Sequence, residues 1–257
     1  MYKFDLSLKP PILNAAGSLG FTPDPYGPVD LGALGAFITN PISLTPRSPA
    51  ADPRYQAFPG GFLLHTGYPN PGFGEAMHRF AQGWARSPLP VLVHLLAPPI
   101  SRDSLALLGE VIQRLEETES VTGIELGLPP GTDAREAAAY VQAALGELPL
   151  ILRLPLESAP RLARLLADDP AASGIAALSL SPPRGALLTA GGKLIHGRLY
   201  GPSVFPLALA AVYSLQGFDL PVIAAGGVYH QQQIQALLSA GAFAVQLDAA
   251  LWRGGLS

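Results

Sequence analysis

The stretch from Leu220 to Ala250 restricts the possible fold more than any other. Val222–Ala225 is a short apolar run entered through Pro221, the length of a strand buried on both faces. Gly226 and Gly227 stand at its C-terminal end. Ile234, Leu237 and Leu238 then recur at helical spacing, which predicts a helix over 231–240 that stops at Gly241. Ala244–Leu247 is a second buried run. Two buried strands joined by one helix lie parallel with a right-handed crossover. A strand running into Gly-Gly and a helix also presents backbone N–H groups of the kind that hold a phosphate. Asp248, directly after the second strand, sets a carboxylate at that end.

The same alternation fills the chain. Apolar runs at 12–15, 36–39, 91–95, 123–126, 150–154 and 175–180 precede the two above. Helical patterns fall at 75–85, 101–117, 132–145, 158–167 and 204–215, with Ser101 and Thr132 as the expected N-caps of the second and third. Eight strands alternating with helices predict one parallel-sheet domain over 1–257, an α/β chain of the closed (β/α)8 type. Two features depart from a plain barrel. Residues 41–73 form a Pro- and Gly-rich connection too long for an ordinary loop, and it is expected to cover the C-terminal mouth. The chain also runs only about ten residues past the eighth strand, so a short or missing last helix is expected, with Trp252 packing locally or against a partner.

Composition excludes several classes. Charged residues make up 14% against 49% hydrophobic, which argues against disorder. A formal net charge of −3 with no basic run argues against a nucleic-acid partner. No apolar stretch reaches membrane-spanning length and the N-terminal residues lack a signal-peptide core, so a cytoplasmic location without membrane contact is expected. With no cysteine there is no disulfide, thiolate metal site or thiol nucleophile.

Several segments in chain order resemble the dihydroorotate dehydrogenase family, chiefly its class 1 branch. They begin with Asn14-Ala-Ala-Gly-Ser-Leu-Gly and Gly35-Ala-Phe-Ile-Thr-Asn-Pro-Ile-Ser-Leu-Thr-Pro-Arg. Pro59-Gly-Gly-Phe, Gly67-Tyr-Pro-Asn-Pro-Gly and Ile124-Glu-Leu follow. Tyr200-Gly-Pro-Ser-Val-Phe-Pro-Leu-Ala-Leu, Pro221-Val-Ile-Ala-Ala-Gly-Gly-Val and Ala240-Gly-Ala-Phe-Ala-Val-Gln complete the set. The resemblance implies an FMN-dependent barrel oxidoreductase that converts dihydroorotate to orotate in pyrimidine biosynthesis. It further implies cofactor contacts at Gly17, Asn40, Arg153, Gly201, Gly226 and Gly227, and substrate contacts at His65 and His94.

The family's chemical groups are replaced at these positions. Pro130 stands where the class 1 catalytic cysteine belongs, and Gly127 and Thr132 stand where two asparagines belong. General-base catalysis needs a titratable group within hydrogen-bond reach, and this loop supplies none. Asn40 and Arg153 replace lysines, Leu64 and His94 replace asparagines, Pro182 aligns with another, and Asp248-Ala249 replaces the Gly-Thr that donates to the FMN phosphate. A carboxylate there would face a phosphate dianion, and like charges 4 Å apart repel by about 1 kcal/mol even in water. No catalytic residue is therefore assigned. The expectation is a degenerate, non-catalytic relative that acts as a binding or assembly subunit, as a homodimer or with a partner. The alternative is an FMN-dependent oxidoreductase with a changed substrate. His65, His94, Arg153 and Asp248 gather near strand ends. No tight spacing supports a metal site, and none is assigned. Arg153 is expected to pair with Glu125, Arg184 to attract an anion, and His196 and His230 to lie in solvated loops.

Overall fold

The computed structural model describes residues 6–51, 54–167 and 169–256. Asp52 and Pro53, inside the expected covering loop, lie outside the described residues, as do residues 1–5 and 257 of the two ends. Barrel strands come in chain order as β1 (Ile12–Asn14), β2 (Phe37–Ile38), β5 (Val91–Leu96), β6 (Val121–Gly127), β7 (Leu150–Pro155), β8 (Ile175–Ser181), β11 (Val222–Ala225) and β12 (Ala244–Leu247). All pairs between them are parallel, in the order β1-β12-β11-β8-β7-β6-β5-β2. A single bridge, Leu13 to Ala36, joins the two ends of that order. The seam is reinforced by a side chain. Buried Asn14 donates to the Ile38 carbonyl at 2.7 Å and accepts from the Ile38 N–H at 2.8 Å, so its amide does the work of a missing ladder pair.

The strands read as near-continuous apolar runs because both faces are covered. Side chains alternate along them. Val93, Ile124, Leu126, Leu152, Leu178 and Val245 point outward into the main core with the helices. Leu13, Ile38, Leu92, Ile151, Ala177, Ile223 and Ala244 point inward and fill the lower barrel. The helices are α1 (Phe73–Ala85), α2 (Arg102–Glu116), α3 (Ala134–Ala144), α4 (Ala159–Ala167), α5 (Phe205–Ser214) and α6 (Gln231–Ser239). After β1 and after β12 the described residues form short 3-10 turns, Leu31–Ala33 and Leu251–Arg253. Ser101 caps α2 as expected, through a reciprocal bond with Ser104. The cap of α3 is Asp133 rather than Thr132. Its carboxylate accepts from Glu136 N–H at 2.8 Å while Thr132 turns back to the Pro129 carbonyl. A carboxylate one residue closer reaches the free N–H groups better.

A second sheet went unread in the sequence. The stretch 41–73 contains a hairpin, β3 (Tyr55–Phe58) and β4 (Gly61–Leu64). Between β8 and α5 lies another, β9 (Arg184–Leu188) and β10 (Leu194–Tyr200). The two hairpins pair antiparallel in the order β3-β4-β10-β9. His196, expected in a loop, is an exposed residue of β10, paired opposite Ala186. His230, also expected in a loop, directly precedes α6, where its own N–H donates to the Gln233 side chain at 3.0 Å. The remainder of 41–73 is tied by buried Asn70, whose carbonyl accepts from the Ser43 and Gly72 N–H groups at 3.1 and 3.0 Å.

Candidate functional site: the mouth of the barrel

One layer above the apolar barrel floor, five strands turn polar side chains inward: His94 from β5, Glu125 from β6, Arg153 from β7, Ser179 from β8 and Gln246 from β12. All are buried. They converge on the Glu125 carboxylate. Its Oε2 meets His94 Nδ1 at 2.6 Å and Arg153 Nη1 at 3.2 Å. Its Oε1 accepts from Ser179 Oγ at 2.7 Å and Gln246 Nε2 at 2.6 Å. Burial alone would raise the Glu125 pKa. The Arg153 charge and the bonds from His94 and Ser179 outweigh it, and the carboxyl stays well below the usual carboxylate range. The expected Glu125–Arg153 pairing is thus present, and it belongs to a larger network.

Burial lowers the His94 pKa, and the Glu125 contacts only partly oppose that. The ring is neutral. An ionised carboxylate only accepts, so His94 donates from Nδ1 and keeps its lone pair on Nε2. Gly127 leaves room for that edge of the ring, since a side chain there would begin 2.9 Å from Nε2.

Above this layer, between the barrel and the hairpin sheet, lies a cavity of about 250 Å³. His94 and Arg153 belong to its lining, with His65, Tyr68, Arg47, Arg184, Arg198 and the stiff Pro129-Pro130 wall. His65, His94 and Arg153 are therefore brought together. Asp248 and Gly17 line a second, smaller cavity of about 80 Å³ beside it, which also touches Arg153. Asn40 lines neither cavity. Its side chain accepts from the Gly20 N–H at 3.2 Å. Among the described residues no group of three or more His, Cys, Asp or Glu could hold a metal.

The smaller cavity occupies the place between Gly17 and Asp248 where the family resemblance puts a flavin. Tyr200 and Trp252 line it, and Phe62 packs against both. Phe62 stacks on Tyr200 at 5.4 Å between centroids, and Trp252 lies 5.5 Å from Tyr200 and 6.1 Å from Phe62. Trp252 also donates to the Ser18 carbonyl at 3.1 Å, so it packs locally with 44% of its surface still exposed. The smaller cavity adjoins the larger one through Leu64, Thr66, Tyr68, Arg153 and Tyr200, which line both.

The three glycines at the phosphate end are packed against protein. A Cβ on Gly227 would stand 2.3 Å from Phe205 N, and one on Gly201 would stand 2.4 Å from Gly61 Cα. A Cβ on Gly226 would meet Val204 Cγ1 at 3.0 Å. These glycines let α5 and the β3–β4 hairpin approach closely. Asp248 occupies the remaining position. Ala249 N–H donates to its Oδ1 at 2.5 Å, and Oδ2 has no partner among the described residues. Burial pushes the carboxyl up to about 6. The N–H groups of Ala249, Asp248 and Gly227 and the Arg153 charge restrain that rise. Backbone donors that could serve a phosphate here face an internal carboxylate, so the residues present do not fit FMN at either end.

Arg198, Arg47, Tyr68 and the Phe62–Tyr200–Trp252 rings were not singled out from the sequence as parts of a site. Apolar runs broken by Pro-Gly-Gly at 59–61 and Gly-Gly at 191–192 are hairpin signals that place Phe62, Arg198 and Tyr200.

The family model described as dihydroorotate dehydrogenase matches residues 3–140, and one described as nitronate monooxygenase matches 202–253. The chain is 30% identical to the dihydroorotate dehydrogenase B (NAD(+)) catalytic subunit of Desulforudis audaxviator, over 95% of this chain and 84% of that protein. It is 29% identical to the same-named protein of Pyrococcus abyssi, over 99% and 88%. Among solved structures, the dihydroorotate dehydrogenase of Eimeria tenella in complex with ferulenol superposes with a TM-score of 0.76 at 14% identity. That match covers 95% of this chain and 77% of the other, a likeness of fold. No helix among the described residues is long and apolar enough to cross a membrane.

Proposed function

This chain belongs to the dihydroorotate dehydrogenase family, and from that premise we propose that it is a member without flavin chemistry, a cytoplasmic ligand-binding subunit that does not oxidise dihydroorotate. The observation that carries the reading is the small size of the cavity between Gly17 and Asp248. The Tyr200 and Trp252 rings and the Asp248 carboxylate line the small cavity beside Gly17, the position the family resemblance assigns to the cofactor, and this supports the reading. The loop after β6 points the same way. Residues Leu128 to Thr132 offer no side chain that takes up a proton near pH 7. Relatives named as catalytic subunits suit a chain that works within an assembly, as a homodimer or beside another subunit.

The visible spectrum tests this directly. Freshly purified protein is expected to be colourless, to remain so after incubation with excess FMN and gel filtration, and to leave dihydroorotate unchanged. A flavin band that survives filtration would overturn the reading. It would favour instead an FMN-dependent oxidoreductase with a changed substrate. One observation supports that alternative: His94 Nε2 faces the cavity with a carboxylate behind it, the arrangement of a general base.

A further inference from the structure

We propose that the larger cavity binds a small dianion that also carries a hydrogen-bond donor, the chemistry of a phosphate monoester with a free hydroxyl. This deepens the binding reading above and rests on it.

The charges lining the cavity are of one sign. Arg47, Arg153, Arg184 and Arg198 all contribute, and no Asp or Glu does. That concentration is unusual in a chain whose formal net charge is −3. Glu125 answers only Arg153. Among the described residues Arg47, Arg184 and Arg198 make no ion pair. A monoanion would leave two of these three charges unanswered. A dianion leaves one.

The guanidinium groups are held rather than waving in solvent. Arg198 donates from Nη1 to the Pro182 carbonyl at 3.1 Å and lies 5.6 Å over the Tyr68 ring. Tyr68 itself is kept at φ 54°, a left-handed conformation that side-chain-bearing residues seldom adopt and that clusters at functional sites. Arg47 donates from Nε to the Gly67 carbonyl at 3.1 Å, in the same loop. Arg153 is buried, with its Nε lacking any partner among the described residues. Planar guanidinium forks match the paired oxygens of a phosphate or carboxylate.

Depth orients the ligand. Arg47 and Arg184 are exposed, Arg198 is half-buried, and His94 lies at the buried floor. The anionic end therefore sits at the rim. At the floor, the His94 Nε2 lone pair would repel an anionic oxygen and accept from a hydroxyl or N–H. Leu128 and the two prolines pack the ligand's carbon skeleton between these ends.

Calorimetric titration of the whole chain with sn-glycerol 3-phosphate, ethyl phosphate and orotate tests the proposal. Glycerol 3-phosphate is expected to bind, more weakly as salt is added. Ethyl phosphate, which lacks the hydroxyl, should bind about tenfold more weakly through loss of one hydrogen bond. Arg184→Met, an exposed substitution that leaves the fold intact, and Arg198→Met should each weaken glycerol 3-phosphate binding at least about tenfold. Arg86→Met, on the exposed end of α1, should not. Absence of binding, tighter binding of orotate than of glycerol 3-phosphate, or indifference to Arg184→Met would overturn the proposal. Flavin absorbance recorded on the same samples separates the two readings. Colourless protein that ignores the phosphate ester sinks this inference alone, and yellow protein sinks the non-flavin reading whatever the calorimeter shows.

Discussion

Glu125 and Asp248 are both buried in the upper barrel, yet their surroundings differ. Glu125 accepts from four side chains on four different strands and stays ionised. Asp248 is met by backbone N–H groups rather than side-chain donors, has an oxygen with no partner among the described residues, and its carboxyl is pushed up to about 6. Depth is nearly the same, so the donors decide the charge state. Glu125 behaves as a keystone of the fold. Asp248 is buried without such support.

The largest effect that could break this contrast is removal of the keystone. Glu125→Ala leaves Arg153 buried without its counter-charge, a loss of about 3–5 kcal/mol in unfolding free energy by urea titration. A loss under about 1 kcal/mol would mean that Glu125 is no more essential than Asp248.

The pH dependence of stability comes next. Asp248 releases its proton near pH 6 when folded and near 3.8 when unfolded. The folded state therefore binds more protons between those values, and stability from this group falls as pH rises, by roughly 3 kcal/mol in all. Glu125 has the opposite sign. Its folded pKa lies below the ordinary 4.5, so its contribution is present above 4.5 and is lost as pH falls below that. Neutral His94 also opposes Asp248, since the unfolded ring gains a proton below 6.5. The difference between Asp248→Asn and the unaltered chain cancels both opposing contributions. The variant is expected to be more stable by up to about 3 kcal/mol at pH 8, with the advantage vanishing near pH 4. A constant advantage across that range would show that Asp248 is ionised throughout.

The smallest effect belongs to the rings beside Asp248. Trp252 is 44% exposed, so Trp252→Ala should cost about 1–2 kcal/mol, less than the 3–5 of a fully buried aromatic. A larger loss in the thermal midpoint would make the ring cluster a second keystone.

Most of the barrel was legible in the sequence because its strands are apolar runs between helical repeats, and two of them, at 222–225 and 244–247, have the bounds expected. The Glu125–Arg153 pairing was legible for a different reason. Period-two alternation sends both residues inward on adjacent strands, and an unpaired buried charge is too costly to stand. The hairpin sheet was not, since its short strands are half-exposed and lie within stretches dominated by Gly and Pro. The cationic cavity was invisible for the same reason. Only Arg184 carries an anion expectation from the sequence; Arg47 and Arg198 lie far apart in the chain and reach one cavity only in the fold.

That pairing separates two kinds of inheritance. Each hairpin pairs strands adjacent in the chain, while the sheet over the mouth joins β4 to β10 with four of the eight barrel strands between them. The canopy forms a sheet of its own, separate from the eight-stranded one. Substitutions in the canopy can therefore accumulate without troubling the cylinder beneath, and a lineage can exchange what its mouth recognises while its walls go on folding as before.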